Sequence, residues 1–156
     1  MERFASFADR VKDTLKVSGI QVSPVEIEGV LLAEPRGLIT DATVAGVSGG
    51  RISDEKVPRA WVVLSSAGRM LGADVTIREL KAWHEVNLSK YKWLRGGIEV
   101  VKEVSPKSLS LLSSLSRYML SDLISKIPKS PTGKVLRRVL QDKHEQELEK
   151  NMKGKL

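Results

Sequence analysis

The run Arg59–Ser66, RAWVVLSS, constrains the fold of this chain more than any other stretch. Its apolar residues are nearly continuous, whereas a strand with one solvated face alternates apolar and polar positions. We therefore predict that it forms the central strand of a sheet. Aliphatic side chains must supply most of the core, because apolar residues make up 41% of the chain and aromatic residues only 4%.

Other strands are predicted on both sides of this run. Residues 38–48 and 98–104 read as strands, and a β-hairpin is predicted around the turn signal Ser18-Gly19. The polar stretch 49–58 reads as a turn, and the stretch 66–74 as a loop.

Two helices are predicted between the strands. The first begins with Ser23 as N-cap, Pro24 in the first turn and Glu26 as the capping-box partner, and it ends at Pro35 and Gly37. Its expected buried face consists of Ile27, Val30, Leu31 and Ala33. The second begins at Thr76, with Glu79 three residues later, and its expected apolar face consists of Ile77, Leu80, Trp83 and Val86.

The order of these elements predicts an α+β fold, with a small mixed or antiparallel sheet, an N-terminal hairpin and flanking helices. We assign residues 1–8 to a linker or remnant, 9–150 to one domain and 151–156 to a basic tail. A serine- and leucine-rich insertion interrupts the domain at about 104–125, either as an amphipathic helix or as a loosely packed segment. A charged helix follows, from Val135 to about Lys150.

Composition excludes several classes of protein. The net charge of +7 favours anionic partners, but it does not choose among nucleic acid, phosphorylated small molecules and acidic proteins. The absence of cysteine excludes disulfides and cysteine-based zinc sites. No apolar run reaches the length of a transmembrane helix, and the N-terminus lacks the apolar core of a secretory signal. We expect a cytoplasmic protein; the final Gly-Lys-Leu resembles a peroxisomal signal only distantly, and a frayed tail is the alternative.

Metal and nucleophile chemistry find little support in the sequence. His84 and His144 are far apart and lie in helical segments, so we expect surface or hydrogen-bonded histidines and no metal site. No Gly-x-Ser-x-Gly elbow occurs. The segment SPTGK lacks the first glycine of a Walker phosphate loop, so we exclude a site of that kind.

Two basic clusters remain. Pro128, Pro131 and Gly133 shape a loop that places Lys134 at the start of a helix, where the backbone amides favour anions. A solvated lysine explains this pattern equally well. In the hairpin, the even spacing of Arg10, Lys12 and Lys16 puts three cations on one face of the ribbon, either as an anion-binding surface or as a solvated one.

Together these clusters resemble the C-terminal domain of the adenylate-forming enzymes, which include acyl-CoA synthetases, 4-coumarate–CoA ligases and firefly luciferase. The segment DRVKDTLKVSGIQVSPVEIE, Asp9–Glu28, is similar to the hinge and hairpin motif of that family at essentially every position. The segment PKSPTGKVLRR, Pro128–Arg138, is similar to its final motif. The stretches KVPRAWVVL and LSKYKWLRGGIEVVKE also look like the segments that lie between these motifs.

This resemblance implies an acid–thiol ligase that uses ATP to form an acyl-adenylate and then transfers the acyl group to coenzyme A. It implies that Lys134 is the adenylation lysine and that Lys12 is the hinge about which the domain rotates. It also implies roles for residues of the hairpin: Arg10, Lys16 and Gln21 face the nucleotide or acyl-adenylate, and Ser18 and Gly19 border the coenzyme A path.

The resemblance further implies partners and limits. A carboxylic acid is the other substrate, and Mg²⁺ enters with the nucleotide without being bound by this domain. The family's large N-terminal domain, with its phosphate loop and acid pocket, has no counterpart in these residues, so we expect it as a missing partner and the isolated chain to be inactive. The alternative is a small basic module that contacts nucleic acid or a full-length relative.

Overall fold

The computed structural model describes residues 14–49, 55–101, 127 and 135–154 of the chain. Arg10, Lys12 and Lys134, together with residues 1–8 and the insertion predicted at 104–125, lie outside the described residues. The elements follow the order β1 (Leu15–Val17), β2 (Ile20–Val22), α1 (Pro24–Leu32), β3 (Ile39–Ser48), β4 (Lys56–Leu64), α2 (Ser66–Leu71), α3 (Ala73–Asn87), a 3₁₀ turn (Lys90–Lys92), β5 (Ile98–Val100) and α4 (Arg137–Lys153).

The described strands form two small sheets. β1 and β2 pair as an antiparallel hairpin, and β3, β4 and β5 form a mixed sheet in that order. β4 pairs antiparallel with β3 and parallel with β5. Residues 59–64 of the RAWVVLSS run therefore lie in the central strand, as predicted, whereas Ser65 and Ser66 begin the next helix. The α+β class is confirmed.

The three-stranded sheet is buried on both faces. Alternate residues of a strand point to opposite faces, and alternate residues of β4 enter two different core clusters. On one face, Ala60 and Val62 join a cluster that includes residues of the hairpin, α1 and α3. On the other face, Trp61 and Val63 pack with Leu140 of α4. This double cover is the reason why the sequence of β4 is continuously apolar.

Helix α1 begins as predicted, with Ser23 as N-cap and Pro24 in the first turn, but the predicted capping box is wrong. The Ser23 side chain makes no capping hydrogen bond. Glu26 instead accepts a hydrogen bond from Lys92 Nζ at 2.6 Å. The Glu26 carboxylate, which the local pattern assigned to capping the helix, thus forms a long-range ion pair. Of the predicted buried face, Ile27 and Leu31 are buried, Val30 is half-buried and Ala33 is exposed.

The loop predicted at 66–74 is wrong, because that stretch contains helix α2. Ser65 caps this helix by accepting a hydrogen bond from the Gly68 backbone N–H at 3.1 Å. Helix α3 also begins three residues before the predicted start. Thr76 does not cap it: the residue is fully buried, and its hydroxyl donates to the Gly68 carbonyl at 3.1 Å.

The buried face of α3 is rotated from the predicted one. Thr76, Leu80 and His84 are its buried residues, whereas Ile77 is half-buried and Val86 is 85% exposed. Trp83 is half-buried, and its indole N–H donates to the Val30 carbonyl of α1 at 2.8 Å. A polar threonine and histidine take core positions because each of their side chains finds a backbone partner.

Helix α4 runs from Arg137 to Lys153, slightly later at both ends than predicted. Its residue Leu140 is buried against the sheet. Among the described helices, none combines the length and the apolar character that crossing a bilayer requires.

Candidate functional site

The hairpin has one buried face and one exposed face, and its predicted site residues lie on the exposed face. Val17 and Val22 are buried in the core, whereas Lys16 and Gln21 are exposed. Lys16 and Gln21 are direct partners in the strand register. Directly opposed residues of antiparallel strands share a face, with Cβ atoms roughly 5 Å apart. The structure therefore brings together two residues that the sequence analysis assigned to the acyl-adenylate.

Ser18 and Gly19 form the two-residue turn of this hairpin. Their φ angles are +50° and +82°. Positive φ at both central positions is the geometry of a type I′ turn, which matches the twist of the strands. A Cβ added to Gly19 would meet nothing within 4 Å, so the backbone conformation, and not crowding, favours glycine here. This side of the turn is open space.

The turn contacts Glu55, a residue beside the central strand that no sequence motif indicates. The Ser18 hydroxyl donates to the Glu55 carboxylate at 2.5 Å. Glu55 directly precedes β4, and 37 residues separate the two partners. No local pattern links them, so only the folded chain reveals that a carboxylate stands beside this turn.

Lys134, Arg10 and Lys12 lie outside the described residues, but the residues that flank the Lys134 segment are described. Ile127 is buried in the second core cluster, and Val135 packs against the same cluster. The two described residues on either side of Pro128–Lys134 thus contact the same core cluster.

An ion pair connects the two segments that carry the family motifs. Glu28, the last residue of the first motif, accepts from Arg137 Nη2 at 2.9 Å and from the Val44 backbone N–H at 2.8 Å. Arg137, from the second motif, also donates through Nε to the Val44 carbonyl at 3.1 Å. Both residues lie in the two motifs, but no local sequence pattern places them in contact.

The pKa values of Lys92 and His84 are shifted by their surroundings. The ion pair with Glu26 raises the pKa of the Lys92 ammonium, mainly through their hydrogen bond. Burial lowers the pKa of His84, whose Nε2 accepts from the Leu94 N–H at 3.0 Å while Nδ1 lies 2.8 Å from the Lys81 carbonyl. His84 is thus a hydrogen-bonded core histidine, one of the two outcomes expected for it.

Within the part of the chain that the structure describes, no group of three or more histidine and carboxylate side chains is arranged to hold a metal ion. The exposed face and turn of the hairpin offer the polar groups of Lys16, Gln21 and Ser18, which can contact an anion.

No family model matches the chain. Curated relatives nevertheless match most of it. The chain is 35% identical over 134 residues to an acyl-CoA synthetase of Alternaria alternata, covering 86% of this chain and 18% of the relative. It is 34% identical over 140 residues to a phenylacetyl-CoA ligase of Aspergillus niger, covering 90% and 20%. A protein named as a 4-coumarate–CoA ligase in Dictyostelium discoideum is 34% identical, with 86% and 18% covered.

Solved structures match the fold in the same way. An acyl-CoA synthetase of Brucella canis has a TM-score of 0.63 at 22% identity, covering 89% of this chain and 20% of that one. An anthranilate CoA ligase in complex with anthranoyl-AMP has a TM-score of 0.60 at 26% identity, with 85% and 20% covered. The chain thus spans about a fifth of the length of the relatives it matches. It belongs to the adenylate-forming family of acyl-CoA synthetases and 4-coumarate–CoA ligases, as their C-terminal domain.

Proposed function

We propose that this chain is the mobile C-terminal domain of an acid–thiol ligase, which activates a carboxylic acid with ATP and transfers the acyl group to coenzyme A. The observation that carries the proposal is the hairpin. Lys16 and Gln21 lie opposite each other on its exposed face, and the open turn at Ser18-Gly19 lies beside them. The family motif assigns these same positions to the acyl-adenylate and to the thiol path.

In the first half-reaction, a carboxylate oxygen attacks the α-phosphorus of ATP. The bond to the β-phosphate breaks, and acyl-AMP and pyrophosphate are formed. Lys134 holds its ammonium group against the carboxylate and the α-phosphate while negative charge builds up there, which is electrostatic stabilisation by a prearranged cation. Arg10 contacts the nucleotide.

In the second half-reaction, the thiol sulfur of coenzyme A attacks the acyl carbonyl carbon. The bond to AMP breaks, the thioester forms and the thiol proton is released. Lys16 and Gln21 face the acyl-adenylate, and the Ser18-Gly19 turn borders the pantetheine arm. Glycine suits this turn because it adopts the positive φ without strain and, having no side chain, leaves the adjoining space open.

Rotation about Lys12 exchanges the two segments at the active centre. The large adenylation domain is the partner, and it contributes the acid pocket and the phosphate loop. Mg²⁺ arrives bound to ATP, and we assign no residue of this chain to it. We further propose that the chain alone performs neither half-reaction, and that residues 9–150 form the domain, with an insertion at 104–125.

A reconstitution experiment tests the proposal. The chain is fused behind the large domain of a 4-coumarate–CoA ligase relative, and two activities are measured. Acid-dependent exchange of pyrophosphate into ATP reports adenylation, and thioester formation from synthetic acyl-AMP reports thiol transfer. The fusion should show both activities, and the large domain alone should show little of either.

Variants of the fusion then test the role of Lys134 in adenylation. Lys134→Ala should abolish the exchange reaction and leave transfer from synthetic acyl-AMP largely intact. Lys150→Ala, which removes an exposed lysine from α4, is the matched control and should change neither activity. Full exchange activity in the Lys134→Ala fusion would refute the assigned role, and failure of the unsubstituted fusion in both assays would refute the proposed function.

A further inference from the structure

Helix α4 begins where its own sequence disfavours a helix start. Arg137 and Arg138 open the helix, its first turn contains no acidic residue, and no side chain caps it. The N-terminus of a helix carries partial positive charge, so two cations there are unfavourable. Something outside the helix must therefore determine where it starts.

The compensating group comes from α1. Glu28 places its carboxylate against the Arg137 guanidinium, with Oε1 and Oε2 at 2.9 and 3.2 Å from Nη2. Both side chains are mostly buried, with exposures of 14% for Glu28 and 17% for Arg137. A hydrogen-bonded, largely desolvated pair of this kind is costly to break, because one charge is then left buried without its partner.

Glu28 and Arg137 also form hydrogen bonds with the backbone at the edge of the three-stranded sheet. β3 is an edge strand of the three-stranded sheet. The N–H of Val44 donates to Glu28, and its carbonyl accepts from Arg137. Edge strands leave such backbone groups unpaired unless another element covers them. Two charged side chains therefore take the place of a neighbouring strand at Val44.

This pairing continues along α4. Gln141 Nε2 donates to the Gly46 carbonyl at 2.6 Å, and the Ser48 hydroxyl donates to Glu145 at 3.3 Å. Helix residues four apart thus meet strand residues two apart. The two spacings agree, since four helical residues rise about 6 Å and two strand residues span about 6.7 Å. We call the three contacts, Arg137–Val44, Gln141–Gly46 and Glu145–Ser48, the edge ladder.

We propose that the edge ladder, anchored by Glu28, fixes the register of α4 and thereby positions Lys134 for adenylation. This inference rests on the proposed function and makes Glu28, Arg137 and Gln141 positioning residues. Lys134 precedes Arg137 by three residues in the sequence, so we expect a change in the register of α4 to move it. A slip of one residue would rotate the helix by about 100° and shift it by about 1.5 Å.

Such a slip matters more for chemistry than for folding. A misplacement of about 1 Å at a reacting group costs roughly 100-fold in rate. Loss of Glu28 or Arg137 should therefore slow the half-reaction that uses Lys134 and spare the half-reaction that uses the hairpin. A role confined to stability would lower both activities together.

The test uses the same fusion to the large domain. Glu28→Gln and Arg137→Gln should each reduce acid-dependent pyrophosphate exchange about 10- to 100-fold, with less than about a threefold change in thioester formation from synthetic acyl-AMP. Arg78→Gln removes an exposed arginine from α3, is matched for charge and should leave both activities unchanged. Arg137→Lys keeps the charge but loses the forked geometry, so it provides a milder variant if Arg137→Gln does not fold.

Hydrogen exchange of the 156-residue chain alone gives a readout that needs no activity. Arg137→Lys and Gln141→Ala should accelerate exchange at the amides of Val44 and Val139, which donate to Glu28 and to the Leu136 carbonyl, while the amides of β4 keep their protection. Unchanged exchange at both amides, or equal loss of both half-reactions in the variants, would overturn the inference. If the unsubstituted fusion is inactive, the proposed function fails, and hydrogen exchange still decides whether the ladder fixes the helix register.

Discussion

The imidazole of His84 accepts a hydrogen bond through Nε2 from the backbone N–H of Leu94, at 3.0 Å. Because this nitrogen is an acceptor, the other ring nitrogen carries the proton and faces the Lys81 carbonyl at 2.8 Å. The neutral ring thus joins α3 to the segment that leads into β5. Protonation of Nε2 would remove the acceptor and place a charge in the core.

This arrangement predicts an acid-sensitive fold. Burial lowers the pKa of His84 below its ordinary value of 6.5. The hydrogen bond to the Lys81 carbonyl and the charge of Glu85 raise this pKa by less, and the charge of Lys81 lowers it further. The folded state then binds fewer protons than the unfolded state. The contribution of neutral His84 to the free energy of unfolding is therefore fully present above about pH 6.5, and it decreases as the pH drops below that value. Urea unfolding between pH 5 and 8 measures this effect.

His144 shifts in the same direction, since burial and the charge of Arg59 lower its pKa against Glu99, Glu145 and Glu147. Two variants separate these contributions. His144→Gln should keep most of the acid sensitivity. His84→Gln should lower the free energy of unfolding at neutral pH and make it depend less on pH. A steep acid loss that survives His84→Gln would contradict the assignment.

Two helical glycines should respond in opposite ways to alanine. A Cβ on Gly68 would overlap the Leu38 backbone carbonyl, whereas a Cβ on Gly29 would meet nothing within 4 Å. We expect Gly68→Ala to lower the free energy of unfolding by about 2 kcal/mol or more through overpacking. Gly29→Ala, the matched control, should raise it by about 0.5–1 kcal/mol. Thermal and urea unfolding of the two variants test this pair.

The face of α3 predicts a similar contrast. Leu80 is fully buried and Val86 is 85% exposed. Leu80→Ala should cost about 2–5 kcal/mol, as is usual for large-to-small changes in a core. Val86→Ala should stay within about 0.5 kcal/mol of the parent. A comparable loss in both variants would show that the helix packs on the face that the sequence pattern suggested.

The turn glycine offers a test of function that is controlled for strain. Gly19 and Gly37 both have positive φ, and neither would meet an atom within 4 Å through an added Cβ. Alanine at either position should therefore cost a similar 1–2 kcal/mol, approximately, through the left-handed backbone conformation. In the fusion enzyme, only Gly19→Ala should slow thioester formation from acyl-AMP. Equal slowing by Gly37→Ala would remove the turn from the thiol path.

The parts of the fold that the sequence predicted are those set by local pattern. Continuous burial of β4 and the Ser18-Gly19 turn follow from residues adjacent in the chain. Helix α2 was missed because Ser66–Leu71 contains a glycine and has no clear apolar period, and it is stabilised by the Ser65 cap and by contact of Gly68 with Thr76. The failed capping box has the same origin, since a lysine 66 residues away takes the carboxylate of Glu26.

The residues of the candidate site likewise fall into those that a motif identifies and those that only the folded structure reveals. Lys16, Gln21, Ser18 and Gly19 could be chosen from the motif alone. Glu55 could not, because it meets Ser18 only after β4 is placed beside the hairpin. Glu28 and Arg137 stand in the two motifs, yet their pairing across 109 residues requires α1, β3 and α4 to be assembled. Sequence patterns identify groups, whereas contacts between distant groups depend on tertiary packing.

The hairpin is a sheet of its own, attached to the core through Val17 and Val22 and carrying Lys16 and Gln21 on its outer side. Substitutions at these outer positions change the chemistry of the surface with little effect on folding, because surface changes usually alter stability by no more than about 0.5 kcal/mol. The outer face of the hairpin can therefore vary without disturbing the core. If this face contacts the acyl-adenylate as we propose, point mutations at Lys16 and Gln21 would change the specificity for acid or thiol and leave the supporting framework intact.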